Sequence, residues 1–271
     1  METINYKNKE FYVETILNRI EEGFKDLQDE WNNHQATPTK HLIIDNLLQE
    51  KEALDIFDAF PRDGSGFFNR DSFREKKKTS QSLDEFNPIL GEITYALQDQ
   101  RVIDAVSELT GFKSLEPDPM LYAGGLSMMF KDDFLNPHID NSHDATRSKY
   151  RRLNLLYYVS PEWKKENGAN FELWNESRDK VKTITSKFNR LVIMETNKLS
   201  WHSVSTNVFD EPRCCVSNYY FSRISPEDSE YFHVTSFSGR PEQFGKIILG
   251  KFDNCLRNTF SKITKIGRGK K

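Results

Sequence analysis

The chain has 271 residues, enough for one large β domain or two ordinary ones and for a sizeable buried core. Its formal charge of −3 exerts no global pull toward nucleic acid or an anionic membrane, and 29% charged residues with a mean hydropathy of −0.70 describe a soluble protein. No apolar run reaches membrane-spanning length, METINYKNKEF lacks a signal-peptide core, and three cysteines (Cys214, Cys215, Cys255) offer no disulfide framework, so the cytoplasm is the expected location.

From about Glu10 to Asn33, Val13, Ile16, Leu17, Ile20, Phe24, Leu27 and Trp31 recur at three- and four-residue steps, which predicts an amphipathic helix. A short strand at 41–46 follows, then a helix to Phe60, stopped by Pro61. His41 opens that strand without nearby partners and reads as structural, while His34 and His233 carry no motif. Residues 61–86, with glycines at 64 and 66 and the run Arg74-Glu75-Lys76-Lys77-Lys78, read as a solvated loop, with a mobile lid as the lesser alternative. Two further helices are expected at 88–97 and 100–109, the second closed by Gly111.

From Lys113 the texture changes to short β-forming runs: 120–122, 126–130, 153–159, 170–174, 180–184, 191–195 and 214–222. The tail after Asp253 reads as a final helix, basic and frayed over 262–271. The expected fold class is α+β: a double-stranded β-helix (jelly roll) with N-terminal supporting helices. One domain is expected over 1–271, with helical support at 1–112, the jelly-roll core at 113–235, and a C-terminal helix and basic tail at 236–271.

Within the β region, His138-x-Asp140 puts an imidazole and a carboxylate on one face of an extended strand. His202 follows about sixty residues later, after several strands, and a jelly roll brings such distant strand ends to one mouth. Two histidines and one carboxylate on one cation make the facial triad of non-haem Fe(II) oxygenases, with the opposite positions open. Arg213 begins the strand that runs to Phe221. A guanidinium inside a barrel is costly unless it meets an acid, and its planar fork suits the far carboxylate of a dicarboxylate co-substrate.

These residues stand in an ordered series: HIDN at 138–141, Arg151 through Tyr157-Tyr158 to Trp163, Gly168-Ala169-Asn170-Phe171, FNRLVIM at 188–194, Trp201-His202-Ser203-Val204, and Arg213 leading into YYF at 219–221. Over roughly 120–222 the chain thereby resembles the 2-oxoglutarate/Fe(II)-dependent dioxygenases of the prolyl 4-hydroxylase superfamily, and looks closest to the hypoxia-type prolyl hydroxylases. The resemblance implies that His138, Asp140 and His202 hold Fe(II), that Arg213 grips 2-oxoglutarate with help from Tyr158, and that O2 takes part, with ascorbate as a further candidate. Period-two alternation separately sets Arg152, Asn154, Leu156 and Tyr158 on one strand face, where a core role for Tyr158 is the other reading. Leu156 and Phe171 would be apolar walls that exclude water.

The sequence departs from the family where Met128-Met129-Phe130-Lys131 replaces a Tyr-x-Pro-Gly turn and Ala169 replaces the second glycine of a pair. His143, in the turn after the ligand strand, is expected to face solvent or substrate. The basic segment 147–152 would border the mouth, with Arg147, Arg152 and Asn154 as candidate substrate contacts. That favours hydroxylation of a polar, small acidic molecule; a prolyl residue of a peptide is the alternative. A catalytically silent jelly-roll binding module and a zinc hydrolase compete, but the second has no evident general base and leaves Arg213 unexplained. Neither a nucleic acid nor a membrane is an expected partner.

Overall fold

Alternating apolar faces and capped helices generate a curled antiparallel sheet backed by helices. The computed structural model describes residues 7–33, 37–227 and 229–264; His34 and positions 265–271 of the basic tail lie outside them. Helices are α1 (Lys9–Asn32), α2 (Glu50–Asp58), α3 (Pro88–Ala96), α4 (Gln100–Thr110) and α5 (Phe244–Thr264). Strands are β1 (His41–Asp45), β2 (Phe68–Asp71), β3 (Glu75–Ser80), β4 (Gly125–Met129), β5 (Phe134–Ile139) and β6 (Tyr150–Tyr158). They continue with β7 (Phe171–Trp174), β8 (Val181–Ile184), β9 (Arg190–Glu195), β10 (His202–Val204), β11 (Arg213–Ser222) and β12 (Ser236–Phe237).

Helix α1 starts where the Asn8 side chain accepts the Phe11 N–H, and it buries Tyr12, Val13, Ile16, Ile20, Leu27 and Trp31. Helix α4 ends at Gly111, whose φ of 74° is the left-handed conformation a C-cap requires. The sheet runs β1-β9-β6-β11-β4-β3-β5-β10-β7-β8, with β2 on β3 and β12 on β5. Its strands alternate over most of their length. Leu153, Leu155, Tyr157, Leu191, Ile193, Cys214 and Val216 join the helices in the main core. Their neighbours Tyr158, Val192, Met194 and Cys215 point the other way, into the curl, with Phe171 and Leu173. This alternation gives the sheet a helix-packed outside and a separate interior.

Three expectations change. Residues 120–122 form a turn, with Leu121 and Ala123 at positive φ (49° and 67°), and the strand starts at Gly125. The stretch 61–86 holds the hairpin β2–β3, and β3 pairs with both β4 and β5, so the first 112 residues supply three strands of the sheet. A lysine run lacks apolar alternation, yet its alternate members have work on two faces: Lys76 pairs with Asp133 and Lys78 lies over the Phe130 ring, while Lys77 turns to Glu75. Finally, the last helix begins at Phe244, nine residues before Asp253.

Candidate metal and co-substrate site

Strands β5 and β10 are neighbours, and their register sets His202 directly opposite His138. The two imidazole rings lie 4.1 Å apart between centroids, and Asp140 follows just beyond the end of β5. Asp140 Oδ1 is 3.6 Å from His138 Nε2, and its Oδ2 is 3.7 Å from His202 Nε2. One ligand atom from each of the three lies within 4.8 Å of the others, and all three side chains are buried.

The protein directs these groups toward a common point. His138 Nδ1 bonds the Asn136 carbonyl at 3.0 Å and His202 Nδ1 bonds the Ser200 carbonyl at 2.8 Å, which leaves each Nε2 lone pair for a cation. Phe237 of β12 stacks on His138 at 5.1 Å, and Phe171 flanks His202 at 5.8 Å, so apolar rings hold both imidazoles. Burial alone would raise the Asp140 pKa, but Arg151 and the two histidines outweigh it and hold the carboxyl well below the usual carboxylate range. Burial, reinforced by His138, lowers His202 to about 4, so it is neutral and able to ligate near neutrality. Asp140 Oδ2 is buried and accepts no hydrogen bond. An anionic oxygen left without a hydrogen bond beside two imidazole nitrogens suits a divalent cation of the Fe(II) type.

Arg213 enters from β11, opposite Met129 of β4. It is buried, its Nη2 reaches the Met129 sulfur at 2.6 Å, and its Nε has no hydrogen-bond partner. No carboxylate of the described residues forms an ion pair with it, which leaves a buried positive charge that fits an incoming acid. The Tyr158 ring centroid is 5.3 Å from its Cζ, and burial raises the Tyr158 hydroxyl above its ordinary pKa, so it stays a neutral donor. The Met-Met departure is thus visible: a thioether abuts Arg213 in the β4 segment that a Tyr-x-Pro-Gly turn would have modified. Ala169 takes a positive φ of 46° beside Gly168, where a Cβ would fall 1.9 Å from the Thr206 carbonyl oxygen.

The largest change concerns the two adjacent arginines. Between Tyr220 and Phe221 the β6–β11 register slips, so that Leu153 faces Tyr220, Arg151 faces Phe221, and Arg152 is the extra residue of a bulge. The bulge reverses the phase of alternation. Arg151, not Arg152, therefore turns to the site, with Nη1 3.5 Å from Asp140 Oδ2 and Cζ 3.8 Å from the Tyr219 ring centroid. Arg152 lies over Phe112, 4.2 Å from its centroid, and donates to the Ile224 carbonyl at 3.3 Å. Arg147 stacks on Phe232 at 4.1 Å. Asn154 is buried, opposite Tyr219, and its Oδ1 has no donor.

A cleft beside Asp140 is lined by Arg151, Ser142, Thr196, Tyr231 and His233. The sequence contains no motif for the last two; backbone pairing brings them in, as Ser142 N–H donates to the His233 carbonyl at 3.1 Å and His233 N–H to Ser142 Oγ at 2.9 Å. His143, expected to face solvent or substrate, is buried against Tyr150 and Phe232 and bonds Ser142 Oγ at 2.7 Å.

Comparison with known proteins agrees with this geometry. Residues 124–221 match the family described as the 2OG-Fe(II) oxygenase superfamily. Prolyl 3-hydroxylase OGFOD1 of Mus musculus is 22% identical over 201 residues, covering 72% of this chain but 35% of its own length, so the chain spans about a third of that curated relative. Among solved structures, a Pseudomonas putida prolyl-4-hydroxylase aligns at a TM-score of 0.55 with 13% identity, over 74% of this chain and 100% of that one. A Phytophthora capsici prolyl 4-hydroxylase aligns at 0.54 with 16% identity, over 91% and 75%. At these identities the two structures establish the jelly-roll fold alone. The segment 124–221 that matches the 2OG-Fe(II) oxygenase superfamily carries His138, Asp140, His202 and Arg213.

Proposed function

We propose that the chain is an Fe(II)- and 2-oxoglutarate-dependent hydroxylase whose primary substrate presents a carbonyl or carboxylate oxygen to Arg151. The observation that carries the oxygenase reading is the buried His138–Asp140–His202 cluster sharing an interior with a buried guanidinium, Arg213, that has no acidic partner among the described residues. When bound, iron and 2-oxoglutarate supply the oxidising chemistry: O2 is consumed, the co-substrate leaves as succinate and CO2, and one oxygen atom enters a C–H bond. The chain's own residues orient the reactants. His138, Asp140 and His202 would hold the metal, Arg213 and the Tyr158 hydroxyl would bind the distal carboxylate, and Leu156 and Phe171 would keep the interior dry.

Substrate choice turns on the arginines. Two guanidinium groups at the mouth would favour an acidic metabolite. Arg152 is engaged by Phe112 instead, and Arg151 is already partly answered by Asp140 at 3.5 Å, so a neutral carbonyl suffices. The relatives named prolyl hydroxylases point to a peptidyl proline as the carrier of that carbonyl. The test measures succinate formation with Fe(II), with and without prolyl peptides and small dicarboxylic acids. We expect metal-dependent turnover that peptide stimulates and that His138→Ala, Asp140→Ala and His202→Ala each abolish. Turnover that persists in chelator-treated protein sinks the oxygenase reading, and stimulation by a small acid alone returns the substrate to that class.

A further inference from the structure

Helix α5 is amphipathic but docks the reverse of the usual way. Toward the body it turns Gly250, Asp253 and Asn254. Asp253 accepts from Arg74 Nε at 3.0 Å, and Asn254 exchanges hydrogen bonds with the Phe237 backbone at 2.9 and 2.8 Å. At Gly250 a Cβ would lie 2.6 Å from the Phe237 carbonyl oxygen, so only glycine allows this approach. Toward solvent it turns Phe244, Ile248, Leu249, Phe252 and Leu256, which are 47% to 74% exposed. At 100° per residue these five fall within an arc of about 140°. A helix held by its polar face leaves its apolar stripe for something outside the body.

Charge identifies the occupant. Residues 244–271 contain eight lysines and arginines against one aspartate, a net of +7, in a chain that totals −3; residues 1–243 therefore sum to −10. Lys251 borders the apolar arc, and Lys262, Lys265, Arg268, Lys270 and Lys271 follow it in sequence. Two copies paired through α5 would bring +7 against +7. Nucleic acid would meet the charge but gain nothing from five exposed apolar side chains. An anionic bilayer surface satisfies both, with aromatic and aliphatic groups in the headgroup–acyl boundary and lysines on the lipid phosphates. We propose that α5 is a peripheral attachment site for anionic membrane, lying in the interface with its apolar stripe down. This differs from spanning: no helix among the described residues is long and apolar enough to cross a bilayer. The inference is independent of the catalytic reading.

The experiment is co-sedimentation of the full chain with vesicles of phosphatidylcholine and of phosphatidylcholine mixed with phosphatidylglycerol, alongside light scattering of the free protein. Binding to the anionic vesicles should exceed that to the neutral ones by about tenfold or more, since each basic group near the surface contributes about fivefold, and it should weaken as salt rises. Phe252→Gln with Leu256→Gln, both at exposed positions, should abolish the difference without changing thermal unfolding, and Lys251→Gln with Lys262→Gln should reduce it. Equal sedimentation with both vesicle types, or undiminished binding of the Phe252→Gln/Leu256→Gln protein, overturns the proposal. A homodimer that the same pair of changes dissolves also overturns it, because the stripe is then an interface between copies.

Discussion

Arg213 illustrates how much one side chain contributes when burial leaves its charge unanswered. Losing a desolvated charge-assisted pair costs about 2–5 kcal/mol, so Arg213→Ala should raise the 2-oxoglutarate requirement by tens- to thousands-fold. Iron affinity, measured separately, should change little, because Arg213 is absent from the ligand set. Lysine should restore part of the affinity, since it keeps the charge but not the planar fork. An unchanged co-substrate titration in Arg213→Ala would place the carboxylate elsewhere. The adjacent arginines separate just as sharply. Arg151→Gln should weaken apparent binding of the proposed substrate by about ten- to a hundredfold, the loss of a hydrogen bond to a charged donor, while substrate-free succinate formation continues. Arg152→Gln should leave both rates alone and lower the thermal midpoint, because it forfeits packing on Phe112. Kinetics of the two variants side by side decide between them, and equal effects would refute the bulge-based assignment.

Among the elements, β10 has the most demanding task, since it has three residues and must hold His202 steady. Its outer face is braced by a buried network. Ser203 Oγ donates to Glu172 Oε2 at 2.5 Å, Trp174 Nε1 donates to Ser203 Oγ at 2.7 Å, and Arg240 Nη2 reaches Glu172 at 2.6 Å and the Val204 carbonyl at 3.1 Å. Arg240 follows β12, whose Phe237 stacks on His138, so the C-terminal segment clamps both ligand strands. Arg240→Ala strands the Glu172 carboxylate in the interior. The expected cost is about 3–5 kcal/mol in a denaturant melt, with metal affinity reduced as β12 loosens. Glu172→Gln with Arg240→Met, which removes both charges, should recover much of that stability; failure to recover would mean that the pair acts through shape alone.

For the whole molecule, acid sensitivity should come from histidines that the fold keeps neutral. Burial lowers the His143 pKa below its ordinary 6.5, and burial likewise lowers His233. Below 6.5 the unfolded chain then binds more protons than the native state, so this contribution to stability is complete above that pH and is lost as pH falls through the folded values. Unfolding free energy of the metal-free protein should therefore decline from pH 7 toward pH 5, and His143→Phe should flatten the slope. A slope identical to wild type would show that His143 titrates alike in both states.

What the sequence determined by itself was whatever short-range spacing encodes. The i, i+2 step of His138 and Asp140, the apolar period of α1, the Gly111 cap and the alternation of β6, β9 and β11 are local patterns, readable without knowing any neighbour. The triad's assembly was legible too, because a jelly roll brings strand ends together whatever their loops contain. Tertiary structure decided the rest. The phase of Arg151 and Arg152 depends on a bulge, and a bulge is a property of two strands in register, not of one. The hairpin β2–β3 holds lysines because one face of β3 meets Asp133 and the Phe130 ring from a distant segment, so no apolar period marks it. His233, with Tyr231 beside it, reaches the cleft through hydrogen bonds to Ser142, ninety-one residues away in sequence, and α5 shows its apolar stripe because its polar face is the one that docks. Each of these outcomes is set by contacts between segments far apart in the chain, where local periodicity carries no information.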